Sequence, residues 1–379
     1  MRSQLEKYAA LLVSEGVAKR ERIAISCQND IVSHIGSEDL VKIADLVLQK
    51  LDSASVIVAE PVLPFPLFLL RRIPDSVNLL IPNDSESVSS LHDIPLIRGC
   101  SNLEVTVERI CEALFNRKGC VVEGIGLVSH AAMTTEQAYI AWSSLFHATF
   151  IKYFEDLMTI GPLLPEEADT VRKYRDHQLK KIDSDLIINI PKGSNCIMDE
   201  MIMAGSKTVR LGLVDSFFGN ISFASEEGLF ISQTSACLDE LEGQIDIVPF
   251  DNSTTSGMTA SSELPAHQAI VRETGCKAIL HGHPRFPIVM SFFANPSGNQ
   301  SYTLIDTIPV VGGEGGVGGL ASTLPTAFRL TGAKAVVVKG HGVFVISDIG
   351  FADAFSKLAE IEQRCRDIYF KRLKLNYMI

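Results

Sequence analysis

At 379 residues the chain is long for a single domain, and two domains are the natural reading. An apolar content of 46% and a mean hydropathy of +0.20 provide for a large buried core. The formal charge of −11 argues against nucleic acid or an anionic membrane surface as partner, and leaves small molecules, including anionic ones that meet local donors.

The opening MRSQLEKYAALLVSEG mixes charged and apolar residues and lacks the unbroken apolar run of a secretory signal. No stretch approaches the roughly 20 apolar residues of a membrane span. The eight cysteines are scattered, with no C-x-x-C pair, which reads as free thiols in a reducing cytoplasm.

In chain order, residues 1–50 are expected to be helical, from the apolar spacing of LEKYAALLVSEGV and DLVKIADLVLQKL. Val56-Ile57-Val58 signals a buried strand, ended by Pro61, Pro64 and Pro66. VTVERICEALFNRKG is an amphipathic helix stopped by Gly119. CVVEGIGLVSH reads as two strands about a Gly124-Ile125-Gly126 turn, and a long helix follows Thr134, a plausible N-cap. Residues 161–195 form a polar connector with a charged helix opened by Pro165. An apolar helix begins at Cys196. Short strands ISFA, GLFISQ and QIDIVPF follow, then the helix SSELPAHQAIVRET and the strand KAILHGH. TLIDTIPVV, a glycine-rich loop from Gly312 to Gly319, the helix LASTLPTAFRLTG, the hairpin KAVVVKGHGVFVI and a helix from Ile349 to Arg372 complete the chain.

The two halves repeat one another. IPLIRGCSNLEVTVERICEALFNRKGCVVEGIGLVSH resembles IPVVGGEGGVGGLASTLPTAFRLTGAKAVVVKGHGVFVIS, and SVIVAEPVLPFPLFLL resembles KAILHGHPRFPIVMSF. With Phe65-Pro66 set against Phe286-Pro287, Glu60 and Val62 face His281 and His283, and Ile125 faces His341. The shared fold therefore does not require the histidines, which points to chemistry. The first copy is expected to lack most of the segment between its first helix and Ser37.

His281 and His283, two residues apart on a strand, share one face and can chelate a metal from a rigid platform. His341, between Gly340 and Gly342, is the candidate third ligand. Three neutral imidazoles suit zinc and also other divalent first-row metals such as Mn2+, Co2+ or Fe2+. Glu263, in the first turn of a helix capped by Ser261-Ser262, is either a carboxylate complementing the helix dipole or a metal-adjacent general acid/base. Gly219-Asn220, Thr234-Ser235 and Ser261-Ser262 are small polar pairs at turns or element ends. They serve ordinary capping or hold a phosphate or carboxylate.

These motifs, taken in order, are similar to those of the class II aldolase/adducin family, in its zinc-dependent, fuculose-phosphate aldolase-like form. G-N-I-S-F at 219–223, I-S-Q-T-S at 231–235, S-S-E at 261–263, H-G-H at 281–283 and G-H-G at 340–342 carry the resemblance. It implies an α/β class, with two tandem α/β/α domains, each around a largely antiparallel sheet. Residues 1–160 form a shortened, metal-free copy, 161–195 a helical linker and 196–379 the domain with the metal site. It further implies a catalytic zinc on His281, His283 and His341, with Glu263 as acid/base. Gly219, Asn220, Thr234, Ser235, Ser261 and Ser262 fall on the pocket for a substrate phosphate. The implied activity is a lyase that makes or breaks a C–C bond in a small sugar phosphate or related hydroxy-carbonyl compound through an enediolate. Epimerase, dehydratase and decarboxylase chemistry, or a non-catalytic adducin-like binding module, are the alternatives. A homo-oligomer is implied, either a tetramer or a dimer of these double-length chains. Tyr369 and Tyr377 are available as the C-terminal tyrosine that assists proton transfer in such enzymes. Two features depart from the family pattern: Ala224-Ser225-Glu226-Glu227 follows G-N-I-S-F where Arg or Lys is common, and Gln233-Thr234-Ser235 stands where Pro and Gly are common. Glu226 and Glu227 would repel a phosphate if they faced it.

Overall fold

The computed structural model describes residues 2–99, 102–176, 193–215, 217–251, 253–298, 301–313 and 319–379. The described chain divides into two compact units, one running to Thr170 and one starting at Val171. The centre of the expected glycine-rich loop (residues 314–318) and part of the connector (residues 177–192) lie outside the described residues.

The first unit opens with α1 (Arg2–Ser14), the hairpin β1 (Ala18–Gln28) and β2 (Val32–Gly36), and α2 (Glu38–Leu51). This corrects the helical expectation for residues 1–50. Ile23, Ile25 and Cys27 alternate at strand spacing, and Asn29-Asp30 supplies the turn, so the middle of that stretch is a strand pair. Then come β3 (Ser55–Pro61), α3 (Phe65–Arg72), β4 (Leu79–Leu80), α4 (Ser85–Leu91) and β5 (Ile94–Ile97). The unit continues through α5 (Leu103–Leu114), β6 (Gly119–Val122), β7 (Gly126–Ala131) and α6 (Thr135–Ile160). Thr134 caps α6 as expected, its side chain accepting from Gln137 N–H. The sheet order is β2-β1-β3-β7-β6-β5-β4, antiparallel except for β5 beside β6. Helices α2 and α5 close one face over Val56, Val58 and Val128, and α1, α3 and α6 close the other. Arg72 and Glu167 form a buried ion pair in which Glu167 also accepts from the Leu163 and Leu164 N–H groups.

α7 (Glu167–Asp176) runs across the boundary. The second unit then has α8 (Ser194–Arg210), β8 (Asn220–Ala224), β9 (Leu229–Ser232), β10 (Ile245–Val248) and α9 (Leu264–Thr274). β11 (Ala278–Gly282), α10 (Arg285–Ser291), β12 (Asn295–Pro296), β13 (Thr303–Ile305) and β14 (Ile308–Val311) follow. The unit ends with α11 (Gly319–Thr331), β15 (Ala335–Val338), β16 (Gly342–Ser347) and α12 (Phe351–Tyr377). Its sheet reads β10-β9-β8-β11-β16-β15-β14-β13-β12, again antiparallel except for β14 beside β15. α9 and α11 pack on one face over Ile279, Val336 and Phe344, and α10 and α12 cover the other.

The inner seven strands of the second sheet match the first sheet in order and in direction. The first unit therefore keeps the β1–β2 hairpin. What it lacks is the stretch after the second hairpin strand. Only Ser37 separates β2 from α2, whereas β10 and a long loop separate β9 from α9. Register also corrects the pairing of the copies. Val338 faces Gly342 and Val122 faces Gly126, while Gly282 faces Val343 and Ala59 faces Leu127. Hence Val58 stands for His281 and Glu60 for His283, with Ile125 opposite His341 as expected. The Phe-Pro pairs do open equivalent helices, but the loop before α3 is longer than the loop before α10.

Behind the second sheet, Glu362 of α12 is buried and accepts the Phe286 N–H at 3.0 Å. Burial pushes its carboxyl up to about 7, against the pull of that N–H and of Arg285 and Arg366. A folded value above the ordinary carboxylate range means that the bound proton stabilises the folded chain in acid. That contribution is lost as pH rises from roughly 4.5 toward about 7. Urea unfolding is expected to show wild-type stability falling against Glu362→Gln across this window, by at most about 1.4 kcal/mol per pH unit. Parallel pH profiles of the two proteins would refute this.

Candidate metal centre

The site forms where the N-terminus of α9 meets the ends of β8, β11 and the β15–β16 turn. His281 lies in β11, paired with Asn220 on one side and Phe344 on the other. His283 is just past the end of β11, in the turn before α10, so strand alternation alone does not hold it. Phe218 stacks on it, with ring centroids 5.5 Å apart. His341 sits in the Gly340–Gly342 turn, which is fixed by the Gly340 N–H donating to the buried Ser291 Oγ at 2.9 Å. The three imidazoles are buried, and their ring centroids are 4.7, 4.9 and 5.0 Å apart.

The donor set fits a metal ion. One nitrogen from each histidine lies within 4.8 Å of the others. His281 Nδ1 is 3.1 Å from the Val343 carbonyl, which can only accept, so Nδ1 carries the hydrogen and Nε2 presents its lone pair. That Nε2 is 2.9 Å from His283 Nε2. Phe344 stacks on His281 at 4.0 Å and fixes its plane.

Glu263 stands at the mouth of the trio. Its Oε1 is 3.1 Å from His341 Nε2 and its Oε2 is 3.5 Å from His281 Nε2. Burial would push its carboxyl up. In the metal-free chain, positive charge on His281 and His341, with the hydrogen bonds from His341 and Asn220, outweighs burial and holds it well below the usual carboxylate range. Glu263 is the N-cap residue of α9, and its N–H donates to Ser261 Oγ at 3.3 Å.

Asn220 differs from its expected part in an anion pocket. Its Nδ2 donates to Glu263 Oε2 at 2.6 Å, and its Oδ1 accepts from His267 Nε2 at 2.6 Å. His267 was not singled out from the sequence, although Glu263 and His267 are four apart at the start of a helix, the spacing that stacks side chains on one face. It is fully buried, and burial, opposed by the Glu263 charge, pushes it down to about 4, so it is neutral.

The remaining polar pairs are tied through backbone to His281 or to one another. Gly219 adopts φ +86°, and a Cβ there would lie 2.5 Å from the His281 carbonyl. The Ser261 N–H donates to Ser232 O, and the Thr234 N–H to Thr259 O, both at 3.0 Å, so Thr234-Ser235 and Ser261-Ser262 lie on adjoining strands of backbone. Ser261 is buried, while Thr234, Ser235 and Ser262 are exposed. Ser235 takes φ +59°, a conformation that suits glycine. Glu226 and Glu227 lie in the β8–β9 turn, at the opposite end of β8 from Asn220. At about 3.3 Å per residue that is on the order of 13 Å or more away, so they do not oppose an anion at the site. Tyr369 is fully buried among Phe286 and Phe370, which removes it from the proton-transfer candidates; Tyr377 closes α12.

Residues 199–369 match the family described as Class II Aldolase and Adducin N-terminal domain. The second unit belongs to the class II aldolase and adducin family. Among solved structures, the chain is similar to L-fuculose-1-phosphate aldolase from Thermus thermophilus, with 21% identity, a TM-score of 0.41, and coverage of 48% of this chain and 96% of that one. It is also similar to YgbL from Escherichia coli (24%, TM-score 0.39, 46% and 88%). A sugar-phosphate aldolase from Thermotoga maritima is a further likeness (19%, TM-score 0.35, 47% and 95%). No curated protein sequence matches the chain.

A Cβ on Gly342 would lie 2.6 Å from the Gly282 carbonyl and 2.9 Å from both His281 Cε1 and His283 Cδ2. Gly342→Ala is therefore expected to part the two histidines and to weaken Zn2+ binding at least about tenfold, measured by competition with a chromophoric chelator. Wild-type affinity in this variant would show that the packing is looser than these distances.

Proposed function

We propose that the second unit is a metal-dependent, class II aldolase-type lyase acting on a small sugar phosphate or related hydroxy-carbonyl compound. The observation that carries this reading is the buried trio of His281, His283 and His341 with an ionised Glu263 against two of its nitrogens. The trio would hold a divalent ion, and zinc is the first choice for three imidazoles. Bound there, the ion would supply Lewis-acid stabilisation of the charge that develops on a carbonyl oxygen as the neighbouring C–C bond breaks.

The protein's own groups do the rest. The Val343 carbonyl holds His281 in the tautomer that leaves Nε2 available. Glu263 takes or returns the proton at Oε1, the oxygen that Asn220 does not occupy. The N–H groups of Gly219, Ser235 and Ser262 and the hydroxyls of Thr234, Ser235, Ser261 and Ser262 would receive the anionic end of the substrate, remote from the reacting bond. Epimerisation, dehydration and decarboxylation draw on the same groups, and product identification separates them.

In this reading the first unit is a copy that has given up the metal. Val58, Glu60, Ile125 and Ala24 stand at the positions of His281, His283, His341 and Asn220, and Glu60 pairs instead with Lys19 and Arg22. A cytoplasmic homo-oligomer is part of the proposal. Among the described residues the cysteines are free and no helix is long and apolar enough to cross a membrane.

Purified chain is expected to carry about one divalent ion, lost in His281→Ala. Product analysis over phosphorylated and plain hydroxy-carbonyl compounds should find turnover that Glu263→Gln lowers about 10²–10⁴-fold while the ion stays bound. A metal-free wild type, with His281→Ala behaving identically, would sink the enzyme reading.

A further inference from the structure

Glu263 does not hold its position by its own chain alone. Asn220 and Ser222 are two apart on β8 and face one side of the sheet, while Glu263 and His267 are one turn apart at the start of α9. The two pairs close into one line of hydrogen bonds. Ser222 Oγ lies 2.6 Å from His267 Nδ1, His267 Nε2 lies 2.6 Å from Asn220 Oδ1, and Asn220 Nδ2 donates to Glu263 Oε2 at 2.6 Å.

The donors and acceptors along this line are determined. A carboxylate only accepts, so Asn220 must turn its NH2 toward Glu263 and its oxygen toward His267. His267 Nε2 must then carry a hydrogen. With the ring neutral, Nδ1 accepts from the Ser222 hydroxyl. His267 also packs edge-on against Phe344, at 5.7 Å, and Phe344 in turn stacks on His281. The ring that orients the amide thus shares a wall with a metal-ligand candidate.

We propose that His267 is a positioning residue for Glu263: anchored by Ser222, it sets the Asn220 amide so that Oε2 is held and Oε1 is aimed at the metal centre. This rests on the reading of Glu263 as the group working beside a bound ion. The first unit supplies the contrast. Ala24 stands at the position of Asn220, Ser37 at that of Glu263 and Val41 at that of His267, while Ser26, at the position of Ser222, donates instead to Asp45. Where the histidine trio is missing, the line behind it is missing too, although its serine persists.

The test uses the full chain with His267→Leu, which keeps the volume and removes both nitrogens, and His267→Gln, which keeps a donor toward Asn220. Ser222→Ala is the milder variant should His267→Leu fail to fold. In the metal-free protein, nitrogen-labelled histidine should report a neutral His267 protonated at Nε2. The Asn220 side-chain protons should exchange slowly with solvent in wild type and His267→Gln but fast in His267→Leu. Titrated with Co2+, His267→Leu should bind about tenfold more weakly with a shifted visible spectrum, and His267→Gln should stay within about threefold. In a Glu263→Gln background, His267→Leu should cost less than about twofold, because its effect passes through the carboxylate. Wild-type Co2+ affinity and spectrum in His267→Leu, a proton on Nδ1 alone, or an equal loss in the Glu263→Gln background would each overturn the proposal. A wild type that takes up no Co2+ defeats the metal reading instead, and the tautomer and exchange measurements then decide on His267 by themselves.

Discussion

The close pairing of β11 with β16 is the constraint on which the site depends. His281 and His341 are far apart in the chain, and Asn220 is farther still from His341. Antiparallel register alone sets Asn220, His281 and Phe344 side by side and delivers the Gly340–Gly342 turn to the end of β11. The pairing works because Gly342 brings no side chain to a point 2.6 Å from the Gly282 carbonyl. Three buried imidazoles with a part-buried carboxylate against them would be costly if unpaired. Here the carboxylate faces two of the imidazoles, and a further imidazole, His267, holds the amide that braces it.

The first unit shows the same sheet without this cost. Its strand order repeats that of the second unit, and its turn keeps Gly124 and Gly126. Yet Val58 lies in the apolar core where His281 would be, and Glu60 has moved to Lys19 and Arg22 at the rim. The same strand order thus accommodates either filling, and the polar constellation is an addition to the architecture.

Much of this was legible in the sequence because the relevant signals are local. H-x-H closing an apolar run, a histidine between glycines and a carboxylate at a helix start each mark a geometry, and the order of elements in the two halves foretold matching sheets. The hairpin of residues 18–36 was missed because strong helical spacing on both sides masked a short alternation at Ile23, Ile25 and Cys27. The pairing of the copies slipped because Phe-Pro marks the helix start, while the metal positions depend on the strand end, and the loop between them differs in length. His267 was missed for another reason. A buried histidine on an apolar helix face looks like core until the partner strand supplies Asn220 and Ser222. The concern over Glu226 and Glu227 came from adjacency in sequence, which a hairpin turns into distance in space.

Two desolvated carboxylates in the second unit, Glu362 buried and Glu263 part-buried, show how surroundings divide structural from chemical roles. Glu362 and Glu263 lie on helices that pack on opposite faces of one sheet. Both are desolvated, and for Glu362 desolvation prevails: one backbone N–H and two guanidinium groups do not keep the carboxyl from moving up to about 7. For Glu263, two imidazoles and the Asn220 amide overcome the same penalty and keep the carboxylate charged. A charged carboxylate against the imidazole nitrogens adds anionic character to a neutral ligand trio and so favours a divalent cation over an empty site. The same charge explains why the amide behind it must be held in one orientation. A flipped Asn220 would set its oxygen against a carboxylate oxygen 2.6 Å away and leave the His267 N–H without an acceptor. The sheet thus carries one carboxyl poised to keep a proton and one prepared to give it up, and only the second faces the histidines.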